Sequence, residues 1–219
     1  LRTNQKRGKA MPFTRNETDI ESFINMLPKD EVSHMLRVKL LVSCMSEKLK
    51  GLRRYTELSD EFHHFGDAAF YHDIGKAFVP DDILNKQGPL TNEETIVVCR
   101  HPEYASMLFK AIKSGAVKGV PQHLEGLAFE AAAYHHEWWN GGGYPNKMVG
   151  YSIPLIARVT SVCDAYDAIT SNRPYREARD RSCASWELEK NAGTQFDPDL
   201  VNIFLSNIRE ITSILNTEN

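Results

Sequence analysis

At 219 residues the chain is long enough to bury one substantial hydrophobic core or two small ones. Its 42% hydrophobic and 25% charged content is that of an ordinary soluble globular domain, with no apolar run approaching the roughly 18 residues of a membrane span and no signal-type hydrophobic region. The net charge of −3 gives no electrostatic case for binding duplex nucleic acid, so an anionic substrate needs local positive charge from metals or a few Lys and Arg.

Residues 1–17 are polar and basic, with Arg2, Lys6, Arg7, Lys9 and Arg15, and are read as a flexible tail before a domain over 18–215. The first residue is Leu, which fits a processed chain or an excised fragment, with a regulatory domain outside it as one expectation. A short helix is expected over 19–26. Pro28 then opens a longer one to about Lys50, in which Val32, Met35, Leu36, Leu40, Val42 and Leu49 partly fit a helical stripe. Asp30 and His34 are four apart and share a face, with Glu31 as the alternative acidic neighbour. Taken alone, His34 reads as a partly exposed helix residue.

The next helix is expected over 58–74, leading into Phe70-Tyr71-His72-Asp73-Ile74-Gly75-Lys76. Gly75 is read as its C-cap, which sets Lys76 close to the His-Asp pair. An imidazole and a carboxylate inside an apolar segment are costly to bury unless they are paired or coordinate a metal. In isolation a hydrogen-bonded ion pair explains them. His63 and His64 match no other spacing and read as surface or packing residues. The stretch from Val79 to Pro89 reads as a loop with a short helical turn.

Thr91 and Glu94 form a capping box for a helix running to about Ile112. Pro102 is expected to kink or divide it beside His101, either aiming that histidine inward or leaving it at a surface kink. An Ala-rich helix over 125–134 ends in His135-His136-Glu137. Neighbouring helical residues are about 100° apart, so the two histidines can serve two different ions. Trp138-Trp139-Asn140-Gly141-Gly142-Gly143-Tyr144-Pro145 is a loop that turns sharply or approaches a ligand closely, with both tryptophans expected in the core.

Pro154 opens a helix through Ile156, Val159, Val162, Tyr166 and Ile169. Of Asp164 and Asp167 on it, one is a candidate ligand, and the other a cap or a partner of Arg158 or a downstream arginine. Arg173-Pro174-Tyr175-Arg176 is a basic loop, either a solvated turn or a phosphate contact. Helices over 180–190 and from Asp197-Pro198 through Ile208 close the chain. No alternating strand pattern occurs, so the class is all-α. The scattered Cys44, Cys99, Cys163 and Cys183 form no Cys-x-x-Cys pair and read as reduced thiols of a cytoplasmic protein. Nitrogen and oxygen donors without thiolates suit Mn, Fe, Co, Ni or Zn, and more than four of them suggest more than one ion.

In their order and spacing these motifs resemble the HD-GYP subgroup of the HD-domain metal-dependent phosphohydrolases, from about Asp30 to about Phe204. The similar pieces are His72-Asp73-Ile74-Gly75-Lys76, His101-Pro102, His135-His136-Glu137, Gly143-Tyr144-Pro145, Asp164 with Asp167, Arg173-Pro174-Tyr175-Arg176 and Gly193-Thr194-Gln195-Phe196-Asp197-Pro198. The resemblance implies a compact multi-helix bundle of the HD-domain type. It implies hydrolysis of cyclic di-GMP, a bacterial second messenger, to pGpG or on to GMP. The metal ligands it implies are His34, His72, Asp73, His101, His135, His136 and Asp164. Asp30 falls where some members bind a third metal through Glu. Two or three divalent ions follow, Fe or Mn first, with Ni, Co and Zn as the other candidates. Asp73 and Lys76 are the implied catalytic residues, Lys76, Arg173 and Arg176 the phosphate contacts, and Tyr144 a substrate contact.

Three departures stand out: Asn140 replaces the family's usual Asp, Ala105 its usual Gly, and Asp30 is one methylene shorter than Glu. The expected partner is a cyclic dinucleotide, with neither membrane nor duplex nucleic acid; a regulatory domain, a partner enzyme and a homodimer are further candidates. Two rival readings stand beside this one. One is the same chemistry on cyclic GMP-AMP or another nucleotide; the other is a catalytically weak module that binds the dinucleotide.

Overall fold

The computed structural model describes residues 19–58, 60–172 and 178–216; the basic tail, Arg173 and Arg176 lie outside the described residues. Helix α1 (Ile20–Met26) begins where the Asp19 carboxylate accepts the Ser22 N–H. Pro28 then precedes α2 (Lys29–Lys50), the longest helix described. Met35, Val38, Val42, Met45 and Leu49 recur at spacings of three and four and are all fully buried. Leu36 is 46% exposed and lies off the stripe on which the sequence had placed it.

The single helix expected over 58–74 is divided. Helix α3 (Phe62–Ala69) stops at Phe70, tight turns follow, and a short 3-10 helix runs Ile74–Phe78. Gly75 is not a left-handed cap. Its φ is not positive, and a Cβ on it would lie 2.0 Å from the His101 carbonyl oxygen. Glycine is needed there because this turn presses on the start of the helix that carries His101.

Helix α4 (Asp81–Leu84) and helix α5 (Asn92–Val98) follow, the latter opened by the reciprocal Thr91–Glu94 capping box. Pro102 does divide the next pattern: α6 (His101–Lys113) starts anew, with His101 as its first residue. Helix α7 (Gln122–Tyr134) buries Ala128, Ala131, Ala132 and Ala133 completely. Side chains this small let neighbouring helices close in.

Helix α8 (Leu155–Thr170) packs on α2 and α7, α2 also packs on α3, and α3 packs on α7. Helices α9 (Arg181–Lys190) and α10 (Pro198–Ser206) close one end, the latter with Asp197 as N-cap and Pro198 in its first turn. The expected final helix breaks at Asn207 and resumes as α11 (Ile208–Ser213). The described residues hold eleven α-helices, four short 3-10 helices and no strand. The core is one cluster that includes Phe62, Phe65, Leu108, Val159, Tyr166 and Phe204. No described helix is long and apolar enough to cross a membrane, and all four cysteines are free thiols.

Candidate metal centre

Three helix ends (α3, α6 and α7) and two helix interiors (α2 and α8) converge on Asp73. Its Oδ1 lies 3.1 Å from His101 Nε2 and 3.7 Å from His135 Nε2. Its Oδ2 lies 3.1 Å from His72 Nε2 and 3.7 Å from His34 Nε2. One carboxylate therefore faces two sets of ligands. Asp73, His101, His135 and His136 each offer an atom within 4.8 Å of the others, and so do His34, His72 and Asp164.

Backbone carbonyls fix the protons of three imidazoles. His72 Nδ1 is 3.0 Å from Ala69 O, His101 Nδ1 2.8 Å from Val98 O, and His135 Nδ1 2.9 Å from Ala131 O. A carbonyl only accepts, so each Nδ1 carries a hydrogen, and on the neutral ring Nε2 is the lone-pair nitrogen turned toward the cluster. Yet His101 Nε2 and His135 Nε2 face each other at 3.4 Å. His72 Nε2 and Asp73 Oδ1 are buried without a hydrogen-bond partner. Lone pairs and carboxylate oxygens turned toward one another in a dry interior repel unless a cation lies between them. The residues present fit divalent metal ions.

His34 is oriented differently. Its Nδ1 is 2.6 Å from Asp167 Oδ2, and its Nε2 is 3.0 Å from Asp164 Oδ1. Asp167 is fully buried and also receives Arg37, through Nε at 2.7 Å and Nη2 at 3.0 Å. The sequence paired the second aspartate with Arg158 or an arginine further on; instead its partner is Arg37, one turn past His34 on α2. Arg158 bonds Asp197 at 2.6 Å. An acidic residue behind a ligating histidine fixes its ring and raises its basicity. His34 itself is 3% exposed, not the partly exposed residue its sequence setting alone suggested.

The charges follow this geometry. Burial opposes the charged form of His34, but the hydrogen bonds it donates to Asp164 and Asp167 win and raise its pKa to about 9. Burial likewise opposes ionisation of Asp164, and His34 overcomes it, holding the carboxyl well below its usual range. Asp73 is also held well below that range, with Lys76 and His72 outweighing burial. Burial, reinforced by His135 and His101, pushes His136 well down, so it stays a neutral donor of electron pairs.

The glycine-rich loop secures the His135–His136 side. Glu137 is buried, its Oε1 accepting the Asn146 N–H at 2.6 Å and its Oε2 the Met148 N–H at 2.9 Å. A Cβ on Gly143 would lie 2.2 Å from Trp138 N and 2.5 Å from His136 O, so only glycine lets the loop fold back here. That return stacks Tyr144 on His136, with centroids 4.9 Å apart and planes at 25°. Asn140 Oδ1 accepts the Gly142 N–H at 2.9 Å, so the amide keeps the turn that a carboxylate could make. Asn140 and Trp139 donate their backbone N–H groups to Thr194 and Gln195, which ties the loop to the Gly193–Pro198 motif. Contrary to expectation, Trp138 is 37% exposed and Trp139 only half-buried, set against Tyr151.

Lys76 Nζ lies 2.6 Å from Asp73 Oδ2 and 2.9 Å from Glu31 Oε1. Glu31, His34 and Asp73 form a third acidic-imidazole group, whereas Asp30 is exposed and belongs to none of them. A cleft of about 160 Å³ opens beside this corner, lined by Asp30, Glu31, His34, Lys76, Lys86 and Asn172, among others. His63 and His64 lie away from the site, beside His123. The roles of Arg37, Asp167 and Glu137 were not assigned from sequence. The spacing His34-x-x-Arg37 was the available signal for the first two, and the run His135-His136-Glu137 for the third.

An HD-domain family model matches residues 21–200. A 3′3′-cGAMP-specific phosphodiesterase of Vibrio cholerae is 33% identical over 182 residues, 83% of this chain and 32% of that protein. A cyclic di-GMP phosphodiesterase of the same organism is 34% identical over 181 residues, 80% of this chain and 35% of that protein. The chain thus spans about a third of the length of these curated relatives. Among solved structures, an HDG"Y"P protein from Bdellovibrio bacteriovorus superposes with a TM-score of 0.60 at 16% identity, covering 90% of this chain and 56% of that one.

Proposed function

The chain belongs to the HD-domain family and is related to the HD-GYP cyclic di-GMP phosphodiesterases, and from that premise we propose that it is a metal-dependent phosphodiesterase hydrolysing cyclic di-GMP to pGpG or on to GMP. One observation carries the reading: the two oxygens of Asp73 face two separate sets of buried imidazoles. His101, His135 and His136 would hold one divalent ion together with Asp73, and His34, His72 and Asp164 would hold the second beside it. Their nitrogen and oxygen donors suit Fe or Mn first, with Ni, Co and Zn as alternatives. Such a pair, when bound, supplies Lewis acidity that neutralises a phosphodiester and lowers the pKa of an attacking water.

The chain's own groups orient that chemistry. Asp167 and Arg37 keep the ring of His34 fixed, and the carbonyls of residues 69, 98 and 131 keep three Nε2 lone pairs aimed inward. Lys76 sets a positive charge between the ligand cluster and the cleft, where the scissile phosphate must lie. Arg173 and Arg176, next in the chain to the cleft residue Asn172, contact the substrate's phosphates. Tyr144, set against His136 by the loop, contacts a base.

The deciding experiment is anaerobic incubation of the purified protein with Mn(II) or Fe(II) and either cyclic di-GMP or 3′3′-cGAMP, with chromatography of the products. Release of pGpG or GMP from cyclic di-GMP is the expected outcome. Turnover of 3′3′-cGAMP alone would transfer the assignment to that substrate. Metal uptake with no turnover of either would replace catalysis by dinucleotide binding.

A further inference from the structure

On ligand type alone, the corner formed by Glu31, His34 and Asp73 suits a third divalent ion, since each offers an atom within 4.8 Å of the others. Those atoms are engaged elsewhere. Lys76 Nζ lies 2.9 Å from Glu31 Oε1 and 2.6 Å from Asp73 Oδ2, so an ammonium already bridges the two carboxylates. His34 Nε2 sits 3.0 Å from Asp164 Oδ1 and 3.7 Å from Asp73 Oδ2, while His34 Nδ1 is engaged by Asp167. An imidazole nitrogen has one lone pair, so with His34 given to the second ion only the two carboxylates are left to hold a cation in this corner.

We propose that Lys76 is a built-in cation standing in the third metal position, that Glu31 is its positioning residue and not a metal ligand, and that the centre takes two divalent ions per chain. This rests on the two-metal reading given above. A divalent ion entering the corner would compete with the ammonium for both carboxylates and repel it at close range. Removing the ammonium leaves Glu31 and Asp73 close together, with side chains only 15% and 3% exposed, and two such carboxylates call for a replacement cation. The lysine therefore keeps a fixed positive charge at the cleft whatever metal the medium supplies.

Metal counting by equilibrium dialysis against Mn(II), with elemental analysis of the full chain, tests this without reference to activity. The wild type is expected to hold two ions per chain, and Glu31→Gln also two. Lys76→Met is expected to rise to three, and the double variant to return to two. Three ions in the wild type, a loss of one ion in Glu31→Gln, or no gain in a folded Lys76→Met would each overturn the proposal while leaving the metal centre standing. Fewer than two in the wild type removes the two-metal reading and the proposal with it. If Lys76→Met does not fold, the wild-type and Glu31→Gln counts decide the question by themselves.

Discussion

Asp73 combines burial, negative charge and two oppositely directed oxygens, and no neighbouring residue can replace that combination. Asp73→Ala is expected to abolish hydrolysis and strip bound metal while the far-UV circular dichroism stays helical; retained turnover would remove Asp73 from the site. Asp167 works one step further out. In Asp167→Asn the amide is expected to lower metal affinity by about 10–100-fold, the usual cost of losing a partner behind a ligating histidine. Isothermal titration with Mn(II) reads that change. A change confined to thermal stability would make Asp167 a purely structural residue. The ligand types were legible in the chain, because His and Asp on apolar helices have few other uses. Which acid serves which role followed only from the motif resemblance, since on residue type and spacing alone Asp164 and Asp167 differ only in the direction each faces on α8.

At the scale of single elements, local chemistry was read well where it was local. The Thr91–Glu94 box, the division at Pro102 and the Asp197-Pro198 start all depend on contacts within four residues. Thr91→Ala is expected to cost about 1 kcal/mol of stability, the typical value for losing an N-cap, read as a lower denaturation midpoint at unchanged slope. The turn after α3 was read as a helix because its sequence is apolar and unbroken by proline. It is bent by something remote: Gly75 must pass the His101 carbonyl at a distance no Cβ permits. Gly75→Ala is expected to move the 3-10 turn off α6 and separate Asp73 from His101. It should reduce metal uptake more than it reduces helicity; unchanged uptake would show that the turn can yield elsewhere.

Across the whole molecule the ligands come from five separate stretches, on or at the ends of α2, α3, α6, α7 and α8, so ions at the centre bind the folded bundle and not the open chain. Binding to the native state alone contributes about 2.7 kcal/mol at a hundredfold excess over Kd. For a domain of this size that corresponds to a rise in Tm of about 5–10 °C. Thermal unfolding with Mn(II) and with a chelator should differ by that amount, and coincident curves would mean that no ion binds. By itself the sequence determined the helical class, the helix starts marked by a cap or a proline and the set of candidate ligands, because caps, prolines and hydrophobic period act over a few residues. Only the tertiary structure decided that Asp73 faces two sets of imidazoles, that Arg37 and Asp167 stand behind His34, and that Lys76 lies between Glu31 and Asp73. Beyond the contacts within a single turn, those relations join residues 28 to 133 positions apart, and helix packing sets their distances.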